Sequence, residues 1–151
     1  MARILIVPCG CRGRALAGEL VAAGHAVRGT TRDPAHAEAI RAAGAEPYVG
    51  DPDRIGTLME ALAGVTVVCW LMGTLPVPEL HAGRLRMLWE KLVDTPVRGV
   101  LYEGSLPEGE QVARTASETW RIPLEVLTAD PGVHAAWLAE ARASVDRLLG
   151  L

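Results

Sequence analysis

A chain of 151 residues suits one domain with one core, and two independent domains would be cramped. Half of the residues are apolar and 22% are charged, a globular composition rather than a disordered one. The formal net charge of −3 gives no electrostatic reason to expect nucleic acid or an acidic membrane surface as partner.

The opening residues carry one positive charge and only four successive apolar residues, Ile4 to Val7, before Pro8. That is too short for a signal peptide, so none is expected. No apolar run approaches the roughly 20 residues of a membrane span. Three cysteines, an odd number without an export signal, suggest reduced thiols and a cytoplasmic protein.

Along the chain, strand-like and helix-like patterns alternate. Arg3–Val7 is a β-branched apolar run, as expected of a strand buried on both faces. Residues 13–23 turn helical, with Leu16, Leu20 and Ala23 on one side and Gly24 placed for a helix end. A second strand is predicted over 25–31, and a helix with proline in its first turn over 34–43, closed by Gly44. A third strand at Glu46–Val49 leads to a predicted helix over 53–63. The fourth strand, 65–71, is the most hydrophobic. A helix over 79–93, a strand over 97–102, a helix over 108–120, a strand over 123–128 and a closing helix over 133–149 complete the pattern.

Six strands alternating with six helices imply right-handed βαβ crossovers and a parallel sheet. The expected fold is a single α/β domain spanning residues 1–151. It is doubly wound and Rossmann-like, with three layers and strand order 3-2-1-4-5-6. In such a sheet ligands bind beyond the carboxyl ends of the strands, where the winding reverses between strands 1 and 4.

The segments at those ends therefore carry the functional reading. After strand 1 come Cys9, Gly10, Cys11, Arg12 and Gly13. Gly10 lets backbone approach a pyrophosphate, and Gly13 lets the helix pack close to the sheet. No Ser, Thr, Asp or Asn caps this helix, and Arg12 and Arg14 would oppose its dipole, so an anion is expected there. The alternative is a glycine turn that binds nothing. After strand 2, Arg32 offers a planar fork matched to phosphate and Thr31 adds a hydroxyl, the pattern of a site preferring NADP over NAD. Asp33 is more simply an N-cap ahead of Pro34. Asp51, after strand 3, is placed to accept from an adenine amine, or else is a turn aspartate.

These segments, ILIVPCGCRGRAL, HAVRGTTRDPAHA and VGDPDRIGTLMEALAGVTVV, resemble the N-terminal half of the atypical and extended short-chain dehydrogenase/reductase superfamily. The resemblance covers residues 3–73 and is only architectural beyond. It implies NADP held by residues 9–12, by Arg32 and Asp51, and by the strand-4 end at Leu71, Met72 and Gly73. Val7 or Pro8 stands where the superfamily has its first glycine, which predicts a wider turn leaning on Arg12, Arg14 and the amides of residues 10–13. The superfamily's Tyr-x-x-x-Lys pair is absent, since Pro52 and Leu106 lie four residues after Tyr48 and Tyr102. No C-terminal substrate lobe like that of the extended members is expected within these residues.

Other constellations were weighed against plain structure. Cys9, Cys11 and Cys69 near the switch point fit small core fillers better than a metal or redox site, because Cys-x-Cys alone is no zinc signature. The four histidines read as surface or cap residues, with only His81 near the cleft. Trp89, Trp120 and Trp137 read as core or interface. The closing helix shows a wide apolar stripe (Val133, Trp137, Ala141, Ser144, Leu148, flanked by Ala136, Val145 and Leu149), which suggests a homodimer.

Three readings stay open. The first is an NADP-binding domain acting as sensor or scaffold, with the dinucleotide as its partner. The second is a small NADP-dependent oxidoreductase using Ser105, Tyr102 or His81 as proton donor. The third is a fold that has lost nucleotide and works through protein contacts.

Overall fold

A computed structural model describes residues 2–151. Six parallel strands form one sheet: β1 (Arg3–Val7), β2 (Ala26–Thr31), β3 (Glu46–Val49), β4 (Val67–Met72), β5 (Gly99–Gly104) and β6 (Leu124–Val126). Their order is β3-β2-β1-β4-β5-β6, as the alternating pattern predicts. The central strands are the most apolar because both of their faces are covered. All six residues of β4 are buried, while the edge strand β3 exposes Glu46 and Val49.

Helices α1 (Cys11–Ala22), α2 (Ala37–Ala42) and α5 (His134–Leu149) cover one face. Their contribution includes Leu16, Leu20, Ile40, Trp137 and Val145. Helices α3 (Gly83–Leu92) and α4 (Pro107–Trp120), with the connection from β3 to β4, cover the other through Ile55, Leu58, Leu85, Trp89 and Ala113. Gly24 (φ 94°) and Gly44 (φ 95°) end α1 and α2 in left-handed backbone, where a side chain is disfavoured.

Several elements depart from the sequence expectation, each for a local reason. Residues 53–63 do not form an α-helix but two short 3₁₀ turns, Ile55–Leu58 and Glu60–Leu62. The Thr57 hydroxyl donates to the Arg54 carbonyl at 2.7 Å and accepts from the Asp51 amide at 2.8 Å. Arg28, buried in β2, donates to the Ala61 carbonyl at 2.6 Å. These side chains claim backbone groups that a helix would need. The predicted helix over 79–93 splits into a turn at Pro78–His81 and α3, since the Trp70 indole takes the Leu80 carbonyl at 3.0 Å. Helix α1 begins two residues early, so only residues 8–10 separate it from β1, and the turn is short rather than wide. The Val7–Pro8 peptide is cis. Strand β5 runs two residues further than expected, to Gly104, which brings Glu103 into the sheet.

The closing-helix stripe is taken up by the chain's own sheet. Trp137, Ala141, Ser144 and Val145 are buried, and Leu148 packs on Gly99, leaving Val133 and Ala136 outside. The width that suggests self-association is therefore used internally.

Close contact between α1, β1 and β2 depends on missing side chains. A Cβ on Gly29 would lie 2.6 Å from both Cβ and Sγ of Cys9. Cys9 has no room to retreat, because it is itself buried between the turn and β2. Gly29→Ala should therefore lower stability by about 2 kcal/mol, the usual scale of overpacking, as read from urea denaturation.

Candidate functional site

The carboxyl ends of β4, β5 and β6 enclose a cleft of about 360 Å³. Gly73, Glu103, Ser105, Glu110, Thr128 and Asp130 are among its walls. Successive residues of a strand point to opposite faces, so the end of β5 serves both sides of the sheet. Glu103 turns toward α1 and α5, and Tyr102 toward α3 and α4.

Glu103 is 2% exposed and fully engaged. Its two oxygens accept from Arg12 Nη1 at 2.8 and 2.7 Å. The Gly73 amide donates at 3.0 Å and Trp137 Nε1 at 2.6 Å. The Arg12 guanidinium also lies over the Trp137 ring, 4.7 Å from its centroid. Gly73 is required here, since a Cβ would overlap the carboxylate. Arg12 is thus occupied by a protein carboxylate rather than left free for phosphate.

On the other face, His81 is buried, not a surface residue, and it joins the two remaining donor candidates. Its Nδ1 lies 2.7 Å from the Tyr102 hydroxyl, and its Nε2 lies 2.7 Å from the Leu75 carbonyl and 3.3 Å from Ser105 Oγ. A carbonyl only accepts, so Nε2 carries a proton, and in the neutral ring Nδ1 accepts from Tyr102. Burial pushes the Tyr102 hydroxyl up to about 12, helped by the charges of Glu110 and Glu103. The phenol oxygen fits only because Gly104 and Gly109 lack a Cβ that would overlap it.

The nucleotide end is more open. Helix α1 has Gly10 at its N-cap with no side-chain cap, and a Cβ on Gly10 would meet nothing within 4 Å. The amides at this end face open space, which suits an anion. The side chains of Arg14 and Arg32 make no ion pair or hydrogen bond among the described residues, and Arg32 is exposed at the end of β2. Thr31 Oγ1 is tied to Asp33, accepting from its amide at 3.1 Å. Asp33 caps the next turn by accepting from the Ala35 amide at 2.9 Å, and Asp51 Oδ1 accepts from Asp53 at 2.9 Å. The amide of Cys9 is given to the Thr30 carbonyl at 2.8 Å, and a Cβ on Gly13 would lie 3.0 Å from the Ile6 side chain. Cys11 is exposed at the start of α1. Leu71 and Met72 are buried and do not line the cleft, whereas Gly73 does.

Sequence reasoning passed over Glu103. The signal was an acid inside the strand-like run Val97 to Tyr102 and its extension, where a buried parallel strand accepts one only if paired.

With this geometry in view, the comparisons are specific. Residues 10–119 match the family described as NAD(P)H-binding. The chain belongs to that family. Among solved structures it is similar to triphenylmethane reductase from Citrobacter sp., with 19% identity and a TM-score of 0.68 over 84% of this chain and 48% of that one. The NADPH-dependent quinone oxidoreductase of Escherichia coli, solved with NADPH, shares 19% identity at a TM-score of 0.66, covering 83% of this chain and 47% of that one. Vestitone reductase from alfalfa shares 12% at a TM-score of 0.67, covering 83% and 56%. At such identities the likeness is one of fold, and the chain spans about half the length of these reductases. No curated protein matches it. No helix among the described residues is long and apolar enough to cross a membrane.

Two measurements probe this site. Glu103→Ala leaves Arg12 and the Trp137 N–H without their partner and should cost about 3 kcal/mol or more in denaturant unfolding, the scale for breaking a buried pair. The second uses pH. Burial pushes Cys9 up to about 11 and Cys69 up to about 12, against 9.0 ordinarily. Above pH 9 the unfolded thiols ionise while the folded ones stay neutral. The unfolded state then binds fewer protons, and stability falls as pH rises from about 9 toward 11. The urea midpoint should drop over that range, and drop less in Cys69→Ala.

Proposed function

We propose that this chain binds NADP in preference to NAD and acts as a small oxidoreductase whose proton donor lies outside the Tyr-x-x-x-Lys pattern. The observation carrying this reading is that Ser105 and Tyr102, both in the wall of the 360 Å³ cleft, meet the buried His81 behind it. A domain that only held nucleotide would have no need of a hydroxyl backed by a buried imidazole beside an open cavity. Family membership supports a nicotinamide dinucleotide, and the cytoplasm is the compartment that suits reduced thiols.

The residues fit that cofactor. The uncapped amides at the start of α1, the open face at Gly10 and the unpaired Arg14 would hold the pyrophosphate. Arg32, with Thr31 and the following turn at the end of β2, would hold the 2′-phosphate, and Asp51 the adenine. Cys9, Cys11, Gly13 and the backbone of Leu71, Met72 and Gly73 would form the floor. Because Arg12 is committed to Glu103, Arg14 takes over the anion role the sequence divided between them.

A sensor or scaffold is the second reading. Its support is that neither Tyr48 nor Tyr102 has a lysine four residues on. Oxidation of NADPH in the presence of a carbonyl or quinone separates the two readings, since a sensor would bind without turnover.

Arg32→Ala should weaken NADP about tenfold, the scale of a charge-assisted hydrogen bond, and leave NAD nearly unchanged in calorimetric titration. Equal weakening of both would make Arg32 structural.

A further inference from the structure

The wall of the cleft formed by β5 and the loop after β4 holds more than a neighbouring serine and histidine. Three protonatable side chains stand in line from the interior to the cavity. Tyr102 Oη is 2.7 Å from His81 Nδ1, and His81 Nε2 on the far side of the ring is 3.3 Å from Ser105 Oγ. Tyr102 and His81 are each 1% exposed, whereas Ser105 is exposed and lines the cavity. The line has a direction. The Leu75 carbonyl, 2.7 Å from Nε2, requires a proton on Nε2, so Nδ1 is the acceptor and the phenol the donor. The phenol therefore donates to Nδ1, and the Nε2 proton is shared between the Leu75 carbonyl and Ser105 Oγ, whose hydroxyl also reaches that carbonyl at 3.2 Å. Gly104 and Gly109 are both needed to admit the phenol oxygen, so three separate segments are shaped around this contact.

We propose that Tyr102, His81 and Ser105 form a proton relay delivering to a carbonyl oxygen bound in the cleft, in place of the missing tyrosine–lysine pair. This rests on the oxidoreductase reading above. A reduced nicotinamide supplies the hydride when bound. Ser105 Oγ gives its proton to the substrate oxygen as that oxygen gains negative charge, breaking one O–H bond and forming another. The serine oxygen takes the Nε2 proton of His81, and Nδ1 takes the phenolic proton of Tyr102. When product leaves, Nδ1 returns its proton to the phenolate, Nε2 recovers its proton from Ser105 and the exposed serine is reprotonated by water, so one solvent proton reaches the substrate per cycle and His81 regains its starting tautomer. Ser105 is the catalytic residue, and His81 and Tyr102 are positioning residues that act through it. The substrate class is a neutral ketone or quinone, because the carboxylates of Glu110 and Asp130 on the same walls would repel an anion.

The test begins without cofactor. ¹⁵N spectra of the ligand-free protein should show His81 protonated at Nε2 and bare at Nδ1, and Tyr102→Phe should keep that tautomer while shifting the Nδ1 resonance by removing its hydrogen-bond donor. NADPH affinity, from calorimetry, should stay within about twofold of wild type in Ser105→Ala, His81→Gln and Tyr102→Phe. With 1,4-naphthoquinone as probe, Ser105→Ala should lower kcat about 100-fold, the lower range for general acid catalysis. His81→Gln keeps a donor for Leu75 but cannot pass a proton, and should fall similarly. Tyr102→Phe should lose the solvent deuterium isotope effect on kcat, which a purely structural tyrosine would leave in place. A bare Nε2, or wild-type kcat in all three variants while NADPH still binds, overturns the relay alone. Wild-type protein that binds NADPH without turnover overturns the oxidoreductase reading and the relay with it, and absence of NADPH binding overturns the cofactor assignment as well.

Discussion

A carboxylate at the tip of a buried parallel strand persists only if its oxygens are answered by donors, and Glu103 is answered three ways. The donors come from the start of α1 (Arg12), the tip of β4 (Gly73) and the closing helix α5 (Trp137). Taking an isolated charge out of water costs several kcal/mol, and here that cost is offset by charge-assisted bonds of 2.6–3.0 Å from all three. The carboxylate therefore fixes how the phosphate turn, the two central strands and the last helix meet. It also dictates smaller choices. Position 73 must be glycine, and Trp137 must turn its N–H toward the sheet rather than the solvent.

This pairing redistributes the work at the strand ends. An arginine in the first turn of a helix opposes the helix dipole, and in α1 that opposition is relieved by a protein carboxylate for Arg12. The amides of α1 and the unpaired Arg14 are left facing open space. The nucleotide end of the fold is thus polar and uncommitted, and the β5 end is pre-assembled. Because side chains alternate along a strand, Tyr102 must face away from Glu103, and the apolar pocket of α3 and α4 receives it beside His81. Two adjacent residues of one strand anchor two unrelated networks on opposite faces of the sheet.

The nucleotide half was the more legible part of the sequence. Gly10, Gly13, Arg32 and Asp33 stand within a few residues of the strands that position them, and Asp33 does cap the turn that follows. Glu103 was not legible, because its partners Arg12 and Trp137 lie 91 and 34 residues away and nothing local distinguishes it from an acid at a strand end. His81 was legible as a residue near the cleft but not as a buried one. Its turn is set by the Trp70 indole drawing the Leu80 carbonyl inward, a contact that helical periodicity does not report. The segment 53–63 shows the same limit, for its apolar spacing fits a helix while Thr57 and the distant Arg28 claim its backbone.

The sequence alone determined the alternation of six strands with helical segments and the order of the sheet. Those properties follow from hydrophobic period, glycine placement and crossover handedness, each of which acts over a few residues or through the connectivity of one βαβ unit. Only the tertiary structure decided which charges are free and which are bound, and which hydroxyl stands behind which imidazole. Ion pairs and buried hydrogen bonds are satisfied by whatever donor the folded chain brings within about 3 Å, and sequence separation places no limit on that choice. Arg12 and Arg32 look alike in the sequence. Folding commits one to Glu103 and leaves the other open to solvent.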